Sequence, residues 1–462
     1  MTAIITDTYK KDNLSHYLSL VNDPNDSNEF YIGIGKSDAY NASDTLITPT
    51  RTYKDELILR NNLQSVKKVE AASLVVPRRS WSQGSIFSAY SDSVVGIPTN
   101  SYYVLTDDNH VYICLKQPKN NTTAEGLSST VKPNYITAGV AKTQPFQTSD
   151  GYVWKYLYEL TAATSTTFLT SNFMPVQFSD SAEPFASSAD ENQYDVQEAA
   201  IKGQVIGVEI ISSGSGYTSG TTVTIRGNGT GAVGTATVTG GSIVKIDMNN
   251  ESAGLGSGYD YAQVIISDTS GSGALARAVV APYGGVGSDA RRDLKASNIM
   301  FNIKPDGDVA GTFLVGEGRE FRHIGLFKNI RLTDSASDGP IFRGTSSRTL
   351  RYMRMPTTAA AADFGADIGD LLQDTSSPPI KAFIDDIDSD IVYFHQNDSS
   401  GFGVFSDGVT ITSASGNTTA DSANLYSEVN PYSGELLYIE NRASAISRTS
   451  SQQEDIKIII TV

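Results

Sequence analysis

The sequence predicts a mainly β chain. Its 462 residues include 40 glycines and 23 tyrosines, its apolar runs are short, and Gly, Asn, Asp and Ser separate those runs. β-branched and aromatic runs bounded by such residues read as strands. A chain of this length buries a sizeable core without disulfides or metals and is expected to divide into two or three folding units. Only 19 % of its residues are charged, so its surface must rely on Ser, Thr, Asn and Gly.

Residues 6–22 read as an amphipathic helix, because Leu14, Tyr17, Leu18 and Val21 recur at helical spacing and share one face. FYIGIG, residues 30–35, reads as a short apolar strand. With Lys36 and Ser37 it ends in a Gly-Lys-Ser that looks like the tail of a phosphate-binding loop. Such a loop needs a glycine five positions before that element, where Phe30 stands. The dinucleotide pattern fails too, with Asp38 in place of its third glycine, and Asp38, Asn41, Ser43 and Asp44 read as irregular chain. FYIGIG is therefore a core strand in which Gly33 and Gly35 admit another backbone or a bulky aromatic. A surface turn begins at Lys36.

Residues 54–72 are expected to form a second helix, or a helix and a strand. SLVVPRRSW follows as a strand, and SYYVLTDDNHVYICLKQP as a hairpin turning at Asp107-Asp108-Asn109. Residues 119–149, rich in Asn, Thr, Gly and Ser, read as a long surface excursion. In DGYVWKYLYEL, residues 150–160, alternation puts Tyr152, Trp154, Tyr156 and Tyr158 on one face and Val153, Lys155, Leu157 and Glu159 on the other. Four large aromatics on one strand face indicate a core or an interface.

The composition changes near residue 201 to Gly, Ser, Thr and Val, and the chain repeats itself. GSGY occurs at 214–217 and 256–259, and Gly229-Thr-Gly-Ala returns as Gly271-Ser-Gly-Ala, both at an offset of 42 residues. Two such units predict a small all-β module with a shared core, and GSGY reads as a turn rather than a ligand loop. FNIKP, GTFLVG and FRHIGLF are the next candidate strands. Residues 356–380 read as a proline-bounded helix and a linker, and the stretch from Ile380 to about residue 425 as a second β insert. In the terminal DIKIIITV, Ile456, Ile458, Ile460 and Val462 share a face of a half-buried strand.

The formal charge is −16, from 35 basic and 51 acidic side chains. This excludes general affinity for nucleic acid or anionic membrane, both of which draw on clustered Lys and Arg. Arg343, Arg348, Arg351 and Arg354 lie close together and read as a solvated or ion-paired stripe. Cys114 is the only cysteine, so no intrachain disulfide forms, and synthesis in a reducing cytoplasm is expected. The N-terminus lacks a signal-peptide core, no run reaches membrane-spanning length, and Asn121-Thr-Thr means little without secretion.

Signals for catalysis are sparse. His16, His110, His323 and His395 stand at no metal-ligand spacing, and Cys114 reads as a buried thiol. No nucleophile elbow precedes a helix. Asp385, Asp386, Asp388 and Asp390 are the one candidate for a hard cation, but the EF-hand order is missing, so a solvated acidic turn is the preferred reading. A glycosidase needs two carboxylates, and nothing selects a pair. No enzyme activity, cofactor or metal is expected.

The segments without chemistry have a pattern in common. FYIGIGKSDAY, VVPRRSW at 75–81, VYICL at 111–115, DGYVWKYLYEL, FRHIGLF at 321–327 and GELLYIENR at 434–442, with the terminal QQEDIKIIITV, occur in an order that resembles the baseplate wedge proteins of T4-like contractile-tailed phages, the gene 8 product family. The resemblance covers residues 1–200, 287–345 and 430–462, and both tryptophans, Trp81 and Trp154, fall inside its motifs. It implies a layered β-sandwich core, to which the chain's own pattern adds the N-terminal helix and two inserted small β modules. The segments would be 1–200, the first part of the core; 201–286, the Gly-rich insert; 287–355, the second part of the core; 356–430, the second insert with its linker; and 431–462, the C-terminal core strands. The two inserts depart from the family.

The resemblance further implies a non-enzymatic virion subunit made in the host cytoplasm. It would form a homodimer in the tail baseplate, join other wedge proteins, and follow the baseplate rearrangement on infection. The inserts would be places for tail-fibre proteins to dock. Arg78, Arg79, Trp81, Tyr152, Trp154, Tyr156 and Tyr158 are the expected interface or core determinants, and Glu440 and Arg442 share a strand face and can pair. The alternative is a receptor- or glycan-binding tail protein of the trimeric adhesin type, favoured by the Tyr- and Gly-rich inserts.

Overall fold

The computed structural model describes residues 4–23, 27–35, 49–50, 52–94, 101–120, 125–180, 183–249, 254–304, 320–334, 339–447 and 454–461. The chain is mainly β, with many antiparallel sheets and a few helices, as expected of a sandwich-type fold. It forms two compact units: Met1–Leu18, Ser73–Met300 and Ile459–Val462 make the first, and Ser19–Ala72 and Phe301–Ile458 the second. The Gly-rich stretch 201–286 thus belongs to the first unit, and 356–430 lies in the second. Among the described residues no helix is long and apolar enough to cross a membrane.

In the second unit, five strands line up in the order Ser346–Arg348, Leu63–Lys68, Phe30–Gly35, Glu320–Lys328, Glu435–Ser447. Phe30–Gly35 is central and buried throughout, with Gly33 opposite Gly325 on one side and Val66 on the other. A Cβ at Gly33 would come within 2.7 Å of both Leu63 Cδ1 and Phe327 Cε2, and one at Gly35 within 2.8 Å of the Asn62 carbonyl oxygen. Both glycines therefore admit close neighbours, as the strand reading requires. Lys36 to Asp38 lie outside the described residues, as do GTFLVG and Asn121.

The 54–72 stretch takes the helix-and-strand form. Helix Tyr53–Asn61 is opened by Thr52, whose hydroxyl accepts from Asp55 N–H and so satisfies an orphan donor of the first turn. Its Leu59 joins Tyr31, Leu63, Val66 and Phe327 in one apolar cluster. A second sheet of seven strands runs Asn417–Thr419, Thr410–Thr412, Leu371–Asp374, Lys381–Asp388, Ile391–His395, Arg351–Arg354, Ser422–Tyr426 and has its own core around Phe364, Ile384, Val392 and Phe394. Arg351–Arg354 pairs on both sides, so this sheet begins before residue 356. The predicted 356–380 helix shrinks to Ala359–Phe364. Leu371–Asp374 is a strand instead, because pairing with Lys381–Asp388 and Thr410–Thr412 outweighs its helical propensity.

In the first unit, Tyr103–Leu105 and His110–Lys116 form the predicted hairpin, with Val104 opposite Tyr112. Asn109 takes the left-handed turn position, which Asn tolerates. Val153–Glu159 pairs with His110–Lys116, and Phe146–Gln147 completes the sheet at the edge. Ala71–Pro77 pairs with Phe173–Val176, Leu74 facing Val176.

The Gly-rich stretch is a pseudo-symmetric module. Ser215 pairs with Ser272 and Ser213 with Ala274; 42 residues on, Ser257 pairs with Thr230 and Leu255 with Ala232. Strands Thr222–Gly227 and Ala262–Ser267 then pair with each other. Each repeat thus completes the other, and the two GSGY tyrosines, Tyr217 and Tyr259, are both buried.

Helix Asp7–Asn22 forms as predicted, but its apolar face is narrower than expected. Leu14 alone is buried, and Tyr17 points to solvent. In the C-terminal strand Ile456–Thr461, Ile456 and Ile458 are buried and Ile460 is half-buried.

Candidate functional site

The aromatic strand turns out to be core rather than interface. Tyr152, Trp154, Tyr156 and Tyr158 are all fully buried. The Trp154 ring stacks on Tyr152 at 5.4 Å between centroids and meets Phe87 edge-on at 5.7 Å. Tyr152 donates to the Leu127 carbonyl at 2.6 Å, and Tyr158 to that of Pro175 at 2.9 Å. Burial pushes both phenols above their ordinary range. None of the four is available to a partner of the folded chain.

Trp81 packs half-buried against this cluster and donates to Ser129 Oγ at 3.1 Å. Ser129 in turn donates to Asp150, which also accepts from the N–H groups of Thr130 and Val131. Burial works against the Asp150 charge, but the bonds from Thr148 and these N–H groups hold its carboxyl below the usual range. Trp81 and Asp150 together pin residues 129–131 of the excursion. Arg78 donates to the Thr170 carbonyl and to Ser80 Oγ, each at 3.1 Å. Arg79 lies beside the Tyr103 phenol, so the two arginines reach different neighbours. Glu440 and Arg442 pair at 3.2 Å, and Tyr438 donates to the same carboxylate at 3.0 Å.

A buried pair of opposite charges was hidden from sequence reading. Lys155 is 3 % exposed and Asp293 1 %. Lys155 Nζ donates to the Val286 carbonyl at 2.6 Å, and Asp293 accepts from Gly287 N–H at 2.6 Å. Together they fasten the point where the Gly-rich module rejoins the rest of its unit. Alternation puts Lys155 on the face opposite the aromatics, with Val153, Leu157 and Glu159, and that face is covered as well.

The acidic run is not the solvated turn that its sequence suggests, because Asp385 is buried and Asp385 to Asp388 belong to the strand Lys381–Asp388. Asp385 is buried against His395 Nδ1 at 2.6 Å and accepts from Gln64 at 3.2 Å. Asp386 pairs with Arg348 at 2.9 Å and Asp390 with Arg354 at 3.2 Å, while Asp388 is exposed. Among the described residues no group of three or more His, Cys, Asp or Glu side chains is placed to hold a metal ion. These pairs also account for most of the arginine row, since Arg343 pairs with Glu29 at 2.9 Å.

Arg351 differs from its neighbours in that row. It donates to Gln396, lies 5.1 Å from the Phe394 ring centroid, and among the described residues pairs with no carboxylate. Burial lowers its pKa from the ordinary arginine value, against the pull of the Tyr432 and Tyr426 hydroxyls. It lines a cavity of about 410 Å³ in the second unit with Arg60, Asp334, His395, Tyr426 and Tyr432. Arg60 is fully engaged: it pairs with Glu56 at 2.8 Å and donates to the carbonyls of Pro431, Ser433 and Gly434.

The sequence matches no protein-family model and no curated protein.

Proposed function

We propose that this chain is a structural subunit of a contractile phage tail, a dimeric component of the baseplate wedge that links neighbouring wedge proteins and follows their rearrangement on infection. One observation carries the reading. The segments that resemble the wedge family are far apart in sequence, yet they meet as paired strands. FYIGIG, FRHIGLF and GELLYIENR belong to three consecutive strands of one sheet. VYICL and the core of DGYVWKYLYEL are neighbours in another. Trp81 N–H, from VVPRRSW, donates to the Leu105 carbonyl beside them. Segments that must fit one another as paired strands are what an architectural role requires, and this supports the reading.

The fates of the chemical groups agree with that role. The four aromatics of one strand fill a core, Trp81 and Asp150 pin a loop, and three of the four candidate carboxylates are in hydrogen bonds or ion pairs. The subunit would be non-enzymatic, made in the host cytoplasm and built into the virion. With the aromatic strand buried, the dimer and wedge contacts must use other surfaces. Glu440 with Arg442, half-exposed on the edge strand Glu435–Ser447, belongs to one such surface.

Light scattering of the purified chain at two concentrations tests the stoichiometry. A particle of twice 49.4 kDa is expected. A stable trimer would overturn the wedge dimer in favour of a trimeric adhesin.

A further inference from the structure

We infer that the Arg351 cavity is a binding site for an acidic sugar, a hydroxylated ring that carries one carboxylate. At about 410 Å³ the cavity falls within the size range of small-molecule sites. Its wall is a mixture suited to such a ligand: the buried apolar side chains Leu63, Leu350, Phe394 and Val429 together with charged and hydrogen-bonding groups.

The charge that selects the ligand is Arg351. Its position is half-buried, and the neighbours found for its guanidinium are neutral: Gln396, the Tyr426 hydroxyl and the Phe394 ring. A guanidinium presents a planar fork of donors that matches a carboxylate, and a partly desolvated one gains most from an anion. Arg60, the other cation of the cavity, is committed to Glu56 and three backbone carbonyls. The cavity therefore offers one available positive group, which suits a monoanion better than a phosphate dianion.

The rest of the wall suits a ring bearing hydroxyls. Tyr426 and Tyr432 are 53 % and 56 % exposed, and half-exposed aromatic rings at a cavity mouth offer apolar faces to the C–H face of a sugar. Tyr432 is held in place by its hydroxyl bond to Asn61 at 2.8 Å and by its N–H bond to Asn430 at 2.9 Å. His395 is fixed by Asp385, which does not itself line the cavity. The principal cation, the cavity mouth and the imidazole are thus oriented before a ligand arrives, which reduces the ordering cost of binding.

The site does not depend on the assembly reading and would serve a wedge subunit or an adhesin equally. The test is isothermal titration calorimetry of the full chain with glucuronate, with glucose and inorganic phosphate as comparison ligands. Glucuronate should bind in the millimolar range or tighter and glucose at least about tenfold more weakly. Arg351→Gln should weaken glucuronate by about tenfold or more. Tyr432→Ala, at an exposed ring, should weaken it too and guards against a folding failure of the arginine variant. No heat with glucuronate up to about 10 mM, phosphate binding as tightly as glucuronate, or unchanged affinity in both variants would each overturn the inference.

Discussion

The ring of Tyr217 occupies the space where a side chain at Gly271 would begin: a Cβ there would lie 2.4 Å from the tyrosine Cδ1. The relation repeats 42 residues away, where Tyr259 covers Gly229 at 2.5 Å. Each tyrosine of the Gly-rich module thus packs on the glycine of the other repeat. Gly271→Ala must displace a buried ring and should cost about 1–3 kcal/mol, with Gly229→Ala costing a similar amount. Urea unfolding midpoints of the two variants check this. A neutral result at both positions would remove the tyrosine–glycine lock from the account.

The buried charges make stability depend on pH. Burial raises the Asp293 carboxyl from 3.8 to about 7, against the Gly287 hydrogen bond and the Lys155 charge. Burial also lowers Lys155 from 10.5 to about 8, against Asp293. Between pH 3.8 and about 7 the folded chain keeps the Asp293 proton that the unfolded chain has lost, so this contribution to stability falls as pH rises. Between about 8 and 10.5 the unfolded chain keeps the Lys155 proton, and stability rises with pH. Asp293→Asn should remove the first slope. Relative to that variant, the natural chain should lose more than about 1 kcal/mol between pH 5 and pH 7.5, as read by urea unfolding. Parallel curves would contradict the buried carboxyl.

Trp154→Ala removes a fully buried ring from an aromatic core and should cost about 3–5 kcal/mol. Because Trp154 is fully buried, the milder Trp154→Phe should lower the melting temperature and leave the mass in solution unchanged. A change of mass in a variant that stays folded would return Trp154 to the interface.

Cys114 is fully buried, and burial drives its thiol well above the ordinary range. A thiol reagent should therefore react only after denaturant is added. Fast reaction in buffer would mean that the hairpin opens readily.

Removing the acceptor in Asp385→Ala takes from His395 and Gln64 a partner inside the second unit. Loss of a buried acceptor of this kind should cost about 1–3 kcal/mol. Calcium added to the natural chain should not raise its melting temperature, and a calcium-dependent rise would revive the acidic turn as a cation site.

Local patterns were legible in the sequence where short-range chemistry decides the outcome. FYIGIG is a contiguous apolar run whose glycines admit Phe327 and Leu63, and Asp107 to Asn109 supply turn residues where the chain turns. The 42-residue offset announced a module whose halves pair with each other. Failures occurred where a distant segment makes the decision. Leu371–Asp374 became a strand through partners on both sides, and the burial of Lys155 does not show in its own strand because its acceptor, the Val286 carbonyl, lies 131 residues on. Asp386 and Asp390 read as part of a solvated acidic turn, but Arg348 and Arg354, some 36–38 residues earlier in the chain, pair with them. The Arg351 cavity was illegible for the same reason, since its walls come from residues 60–63, 333–334, 349–351, 394–396 and 426–432.

The most direct test of the wedge reading is the position of the chain in a virus particle. Antibody raised against the purified chain and carried on gold should mark the baseplate end of the tail in electron micrographs, on particles with extended and with contracted sheaths. Gold confined to the fibre tips, or particles left unmarked while the purified chain is bound, would contradict it.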